Sequence, residues 1–210
     1  MILSDKQILN YTQENKIIIE PFDINNLSTS SYDVTLGPYF YREDKNCDIF
    51  NPYDKNSVNK TWGTYKKAKT CEEYNIKLKN INKNQKIILI KPGETILAHT
   101  NEFIGGLNNI TTMMKARSSM GRCFIEICKC AGWGDVGYIN RWTMEITNNS
   151  QYHTIPLLVG SRIAQIIFLE TGEIIGDDYK VKGKYNQNLS LNTLKEEWKP
   201  TDMLPKLYMD

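Results

Sequence analysis

No stretch of this 210-residue chain approaches the ~18 consecutive apolar residues that a membrane-spanning helix needs. The opening Met1-Ile2-Leu3-Ser4-Asp5-Lys6 lacks the charged segment, apolar run and small-residue cleavage site of a secretory signal. A soluble, cytoplasmic protein is expected, in a bacterium or, for a viral chain, in its host. An excess of charge of one sign is also missing: 26 Lys and Arg face 24 Asp and Glu, a net charge of +2. Neither a nucleic-acid surface nor a membrane surface is implied, and any anion must be bound locally. Histidine is scarce, and His99 and His153 each lack a companion at metal-ligand spacing. The five cysteines are an odd number, and three of them, Cys123, Cys128 and Cys130, crowd into one segment away from Cys47 and Cys71, which argues against a secreted disulfide framework. Cys128-Lys129-Cys130 falls on a predicted strand, where two sulfurs on one face make a poor zinc knot without two further ligands; small buried strand residues are the preferred reading.

Asn, Lys and Ile abound, as in Lys79-Asn80-Ile81-Asn82-Lys83-Asn84, a coding bias of an AT-rich genome rather than a physical requirement. Ser4 and Gln7 form a capping-box pattern before a short helix ending near Asn15. Ile17-Ile18-Ile19 reads as a strand. Ser31-Tyr32-Asp33-Val34-Thr35-Leu36-Gly37 alternates at period two and ends on Gly37-Pro38, predicting a strand and then a turn. Between about 42 and 85 the pattern dissolves into Asn, Lys and Asp, and a surface insertion pinned by Tyr53, Trp62 and Tyr65 is expected. Strands return at Lys86 to Ile90 and, after a Pro92-Gly93 turn, at Thr95 to Ala98. Further strands are expected at Met113 to Ala116, Phe124 to Cys128, Arg141 to Thr147 and Ile163 to Leu169. Short strands separated by Gly, Pro and Asn indicate a sandwich or barrel, in one domain spanning 1–210.

Two segments carry chemistry. Lys115-Ala116-Arg117-Ser118-Ser119-Met120-Gly121-Arg122 gathers two forked cations, two hydroxyls and a glycine, a set suited to phosphate oxygens. If Ser118 or Ser119 opens a helical turn, backbone N–H groups add to the same anion site; the plain alternative is an N-cap beside two surface arginines. The second segment, Ala131-Gly132-Trp133-Gly134-Asp135-Val136-Gly137-Tyr138-Ile139-Asn140-Arg141-Trp142-Thr143-Met144-Glu145-Ile146, is a tight loop followed by a strand. Alternation puts Arg141, Thr143 and Glu145 on one face and Trp142, Met144 and Ile146 on the other. A Glu145 facing solvent is one more surface charge, whereas in a pocket burial raises its pKa and fits it for proton transfer.

These two segments, in this order, resemble the dCTP deaminases, a branch of the trimeric dUTPase superfamily. Ile2-Leu3-Ser4-Asp5, Ser31 to Gly37, Lys91-Pro92-Gly93-Glu94, Arg162-Ile163-Ala164-Gln165 and Gly183-Lys184-Tyr185 extend the resemblance over most of the chain, and only about 42–85 matches poorly. The resemblance implies an all-β, distorted β-barrel with short helices, working as a homotrimer whose sites draw on neighbouring subunits. It assigns the triphosphate to Arg117, Ser118, Ser119 and Arg122, with Ser118 and Arg122 also near the reacting base. It places Ala131 and Asp135 at the substrate, Asp135 by the deoxyribose, and Tyr138 under the sugar where a 2′-hydroxyl would clash. Glu145 matches the catalytic glutamate, and Tyr179 and Lys184 match a C-terminal segment closing over the phosphates. The family's glutamine four residues after Lys184 is replaced by Asn188, leaving Gln187 as the candidate for that contact. Gly134 stands where an apolar β-branched residue is common, which predicts a looser loop around Asp135.

Hydrolytic deamination adds water to cytosine C4 and expels ammonia, and one carboxylate with a raised pKa can move every proton required. The His-x-Glu or Cys-x-Glu with Pro-Cys-x-x-Cys of the zinc cytidine deaminases is not in the sequence. Magnesium arriving with the triphosphate is the expected metal, with no dedicated protein ligands. Within the resemblance, Ala131-Gly132-Trp133 is the pattern more common in members that also cleave the triphosphate, so dCTP would proceed to dUMP. Alternatives are deamination to dUTP only, a plain dUTPase using Asp135, and a silent nucleotide-binding regulatory trimer; intact Arg122 and Glu145 speak against the last.

Overall fold

The computed structural model describes residues 1–44, 48–185 and 190–210. In chain order its elements are α1 (Asp5–Gln13), β1 (Ile17–Glu20), β2 (Leu27–Ser28), β3 (Ser31–Arg42), α2 (Lys55–Trp62), β4 (Lys66–Lys67), β5 (Lys69–Thr70), β6 (Lys86–Ile90), β7 (Thr95–Gly106) and β8 (Ile110–Ala116). There follow α3 (Ser118–Arg122), β9 (Ile125–Ile127), β10 (Trp133–Gly134), β11 (Ile139–Asn148), β12 (Ile155–Leu158), β13 (Arg162–Glu170), α4 (Tyr179–Lys182) and α5 (Leu191–Glu197). Capping begins α1 as the pattern predicts: Ser4 Oγ accepts from Gln7 N–H and the Gln7 side chain accepts from Ser4 N–H at 3.0 Å.

Ten strands form one curled antiparallel sheet in the order β10-β8-β13-β3-β7-β11-β9, with β1, β2 and β4 pairing at its margins, and β12-β6-β5 form a smaller sheet. This is the all-β, distorted-barrel plan with short helices. The main core includes Tyr32, Val34, Leu36, Ile96, Ile104, Met114, Trp142, Met144, Ile146, Ile166 and Phe168. Burying each such side chain contributes about 1.5–3 kcal/mol. A second cluster joins Tyr41 and Leu97 to Val58 of α2 and to Met203 and Leu204 near the C-terminus, with Tyr39, Trp62, Trp198 and Tyr208 packed against it. The 42–85 segment and the C-terminal tail therefore meet on the same side of the sheet. Within that segment Trp62 packs on this cluster and Tyr65 sets its ring edge against Tyr39 at 5.6 Å, whereas Tyr53 is exposed and pins nothing. No helix among the described residues is long and apolar enough to cross a membrane.

Two local expectations are corrected. β3 does not turn at Gly37-Pro38 but runs through it, with a register shift between Leu36 and Phe40. A bulge tolerates a proline that cannot donate to the ladder; the Pro38 carbonyl accepts from Ala68 N–H at 2.8 Å. Gly37 is needed there because any Cβ would overlap the imidazole of His99, which is wholly buried. Cys128 and Cys130 do not share a strand face. β9 ends at Ile127, Cys128 and Lys129 take φ of 60° and 40°, and the chain twists so that Cys128 is buried, its Sγ 3.2 Å from Met114 Sδ, while Cys130 is exposed.

Candidate active site

β11 supplies the site's central row. It pairs with β7 on one side, where Glu145 faces Leu97, and with β9 on the other, where Ile146 faces Ile127. Trp142, Met144 and Ile146 enter the core, and Trp142 Nε1 donates to Ile104 O at 3.0 Å. By alternation Arg141, Thr143 and Glu145 look the other way, into a cavity of about 340 Å³. Burial pushes the Glu145 carboxyl above the ordinary carboxylate range, and Lys129 opposes this only in part.

A bulge in β7 shapes this row: Arg141 opposes Phe103 but Thr143 opposes His99. Thr100 repairs the break, its Oγ1 accepting from Trp142 N–H at 2.9 Å and donating to Glu102 O at 2.7 Å. His99 lies behind, its Nδ1 2.8 Å from Thr100 O and its Nε2 accepting from Tyr39 N–H at 3.3 Å. With Nε2 as acceptor, Nδ1 carries the proton. Burial holds the imidazole neutral and pulls its pKa down to about 4. Arg141 is sandwiched between Phe103 and Trp198, its guanidinium carbon 5.0 Å and 4.9 Å from the two ring centres.

The loop before β11 forms the opposite wall, contributing Ala131, Trp133, Gly134, Asp135 and Tyr138. The looser loop expected from Gly134 is not found. Trp133 and Gly134 form β10 against β8, and Gly134 O accepts from Thr111 Oγ1 at 2.7 Å and Thr112 Oγ1 at 3.3 Å. A Cβ at Gly134 would meet the Trp142 ring at 2.5 Å, so the glycine makes room for tryptophan beneath it. Asp135 is exposed at the mouth and its carbonyl accepts from Tyr138 N–H at 3.0 Å. Tyr138 sets its ring edgewise to Trp142 at 5.2 Å and to Tyr179 at 5.1 Å, and burial raises its phenol well above the ordinary range.

The C-terminal region closes the remaining side. Tyr179 N–H bonds Val136 O at 2.9 Å, and Asn140 Nδ2 donates to Tyr185 O at 2.8 Å. Lys206 N–H donates to the Tyr185 hydroxyl at 3.0 Å and its Nζ to Lys184 O at 3.1 Å. The Lys184 ammonium is ion-paired with Asp210. Tyr185, Trp198, Asp202, Met203 and Pro205 all line the cavity.

Of the residues singled out by sequence, the fold thus brings Ala131, Asp135, Tyr138, Glu145 and Tyr179 to one cavity. Lys184 lies beside it in the segment that Asn140 tethers at Tyr185. Arg117, Ser118, Ser119 and Arg122 do not line it. They form the corner from β8 into α3, where both serines and Arg122 are exposed and Arg117 reaches back to Asp33. α3 is a single turn of five residues opened by Arg117 with no side-chain cap, too short for aligned peptide dipoles to make an anion site of their own. Gln187 lies outside the described residues. Sequence reasoning put Arg141 on the same face as Glu145 without giving it a role, and it missed Trp198, Asp202 and Met203: long-range packing places these three, and no local spacing signals it. No group of three or more His, Cys, Asp or Glu side chains gathers among the described residues in a way that could hold a metal ion.

Fold and cavity together define an all-β protein with a small-molecule site built around a half-buried carboxylate. A dCTP deaminase-like family profile matches residues 2–171, and the chain belongs to that family. A relative from Hydrogenobaculum sp. named "dCTP deaminase, dUMP-forming" is 38% identical over 176 residues, covering 83% of this chain and 85% of its own. Another of the same name from Methanosphaerula palustris is 29% identical over 195 residues, covering 90% and 95%. Among solved structures, the 2'-deoxycytidine 5'-triphosphate deaminase from Agrobacterium tumefaciens superposes with a TM-score of 0.56 at 18% identity over 80% of this chain and 47% of that one, a likeness of fold.

Proposed function

We propose that this protein hydrolyses dCTP to ammonia and dUTP and carries the bound dUTP on to dUMP and diphosphate. The observation that carries the reading is Glu145, a carboxyl raised by burial and aimed into the cavity from β11. Ionised, it takes a proton from water as the water oxygen bonds to cytosine C4. Protonated, it returns that proton to ring N3, and a second transfer, from the new hydroxyl to the amino nitrogen, lets C4–N break and ammonia leave. Asp135 at the mouth then serves as base for a second water attacking the α-phosphorus, with diphosphate as leaving group. The relatives' shared name, ending "dUMP-forming", supports this second step.

A cavity of about 340 Å³ is at the small end for ligands, near the lower bound of roughly 300 Å³. It suits the base and sugar, over Tyr138 and Ala131, with the phosphates extending outside. Arg117, Ser118, Ser119 and Arg122 stand on an exposed corner of the same chain, which supports a homotrimer in which that corner meets the phosphates bound at a neighbour's cavity. Tyr179 and Lys184 belong to the segment that closes over them; Lys184 exchanges its Asp210 partner for phosphate. The carboxylates at the cavity, Asp135, Glu145 and Asp202, form no dedicated metal cage among the described residues. Magnesium held by phosphate oxygens and water fits this donor set and would neutralise the departing diphosphate.

The test is a chromatographic time course of dCTP with Mg2+, following dUTP, dUMP, ammonia and diphosphate together. dUMP with equal ammonia and diphosphate is expected. Stoichiometric dUTP without diphosphate refutes the second step, and consumption of dUTP but not dCTP refutes the first.

A further inference from the structure

β3, β13 and β8 lie side by side, with Gln165 of β13 facing Asp33 on one side and Lys115 on the other. This registry brings three charged side chains to one end of the sheet: Asp33 from β3, Arg162 from the start of β13, and Arg117 just past the end of β8. Asp33 Oδ2 lies 3.2 Å from Arg117 Nε and 3.4 Å from an Arg162 terminal nitrogen. The carboxylate side chain is only 4% exposed, whereas those of Arg117 and Arg162 are 32% and 45% exposed. Desolvation pushes Asp33 up in pKa and the two guanidinium groups pull it back.

A buried carboxylate is a costly way to stabilise a strand, and an apolar residue of similar volume commonly serves stability as well. Its geometry offers something else. The contact with Arg117 uses Nε, so the edge carrying the two terminal nitrogens is left for another acceptor. One negative charge beneath two cations also lets both guanidinium groups share a small surface that their mutual repulsion would otherwise open.

We propose that Asp33 is a positioning residue for the triphosphate: from inside the sheet it fixes the Arg117 guanidinium so that its outer edge meets phosphate oxygens as a ready-made fork. This rests on the reading of Arg117 as a triphosphate ligand. Asp33 touches neither the base nor the reacting atoms, so its effect belongs to the phosphates alone and passes through Arg117.

Dissociation constants for dCTP and dCMP, measured by calorimetry on the full-length protein in the Glu145→Gln background where dCTP survives the titration, test this. Asp33→Asn should weaken dCTP by roughly tenfold to a hundredfold, the range of a charge-assisted hydrogen bond, and change dCMP by less than about threefold. Adding Asp33→Asn to Arg117→Ala should not further lower the preference for dCTP over dCMP. Equal losses for the two ligands, or additive losses in the double variant, overturn the positioning role. If Arg117→Ala itself weakens both ligands equally, or the parent does not bind dCTP, it is the reading of Arg117 that fails, and the proposal with it. Should Asp33→Asn not fold, Arg117→Lys decides: a single ammonium cannot serve Asp33 and phosphate through separate edges. Wild-type preference for dCTP in that variant refutes the proposal, and a loss matching Arg117→Ala supports it.

Discussion

Replacing Glu145 with Gln separates catalysis from stability in opposite directions. The amide keeps the size of the side chain in the cavity but cannot accept water's proton, and losing a general acid/base group costs about a hundredfold to ten-thousandfold in rate. Deamination should fall by that factor while dCTP still binds. The pH dependence follows from the raised pKa of the buried carboxyl. As the proposed proton carrier Glu145 has to be ionised to accept water's proton, so wild-type kcat should decline as pH falls through a pKa above the ordinary 4.5, and the residual activity of Glu145→Gln should lack that limb. Stability moves the other way. A carboxyl whose pKa is higher folded than unfolded binds more protons in the folded state, so ionisation at neutral pH weakens the fold. Glu145→Gln should therefore raise Tm at pH 7, with the gain disappearing as pH drops below about 4.5. Steady-state ammonia release across pH, beside thermal melts of the same samples, reads both effects. Retention of more than about a tenth of wild-type turnover, or an unchanged acid limb, would refute the assignment of Glu145 as the proton carrier.

Asp135→Asn should still release ammonia from dCTP but stop at dUTP, detected by chromatography; continued diphosphate release would remove Asp135 from the second step. Gly134→Val should destabilise this protein by about 1–3 kcal/mol through collision with Trp142 and Thr112, and a denaturation midpoint equal to wild type would contradict the packing described. His99 is held neutral with its pKa lowered to about 4. Its folded pKa being depressed, it contributes stability above pH 6.5 that is lost as pH falls towards 4. His99→Gln should flatten the fall in Tm across that window, and an identical slope would show that other groups carry it.

Local pattern was enough for much of the fold. Capping at Ser4 and Gln7, period-two alternation in β3 and β11, and the Pro92-Gly93 turn are short-range effects, each set by a few neighbouring side chains and backbone dihedrals. Alternation also determined that Arg141, Thr143 and Glu145 share a side. It could not say which side is dry. That was decided by the space between sheets: Trp142, Met144 and Ile146 fill the core, so the carboxylate was left to the cavity, partly buried and raised in pKa. The errors have the same origin. Gly37-Pro38 looked like a turn because the imidazole of His99, distant in sequence, is what requires the glycine. Gly134 looked like slack because the indole of Trp142 that fills its space is visible only once β10 pairs with β8 and sets Gly134 against that ring. Trp198, Asp202 and Met203 wall the site from beyond the family match, placed there by a second core shared with α2. Chemistry-bearing residue types were legible in sequence because their identity is local; their burial, partners and edges were not, because those depend on which distant surfaces the sheet brings together.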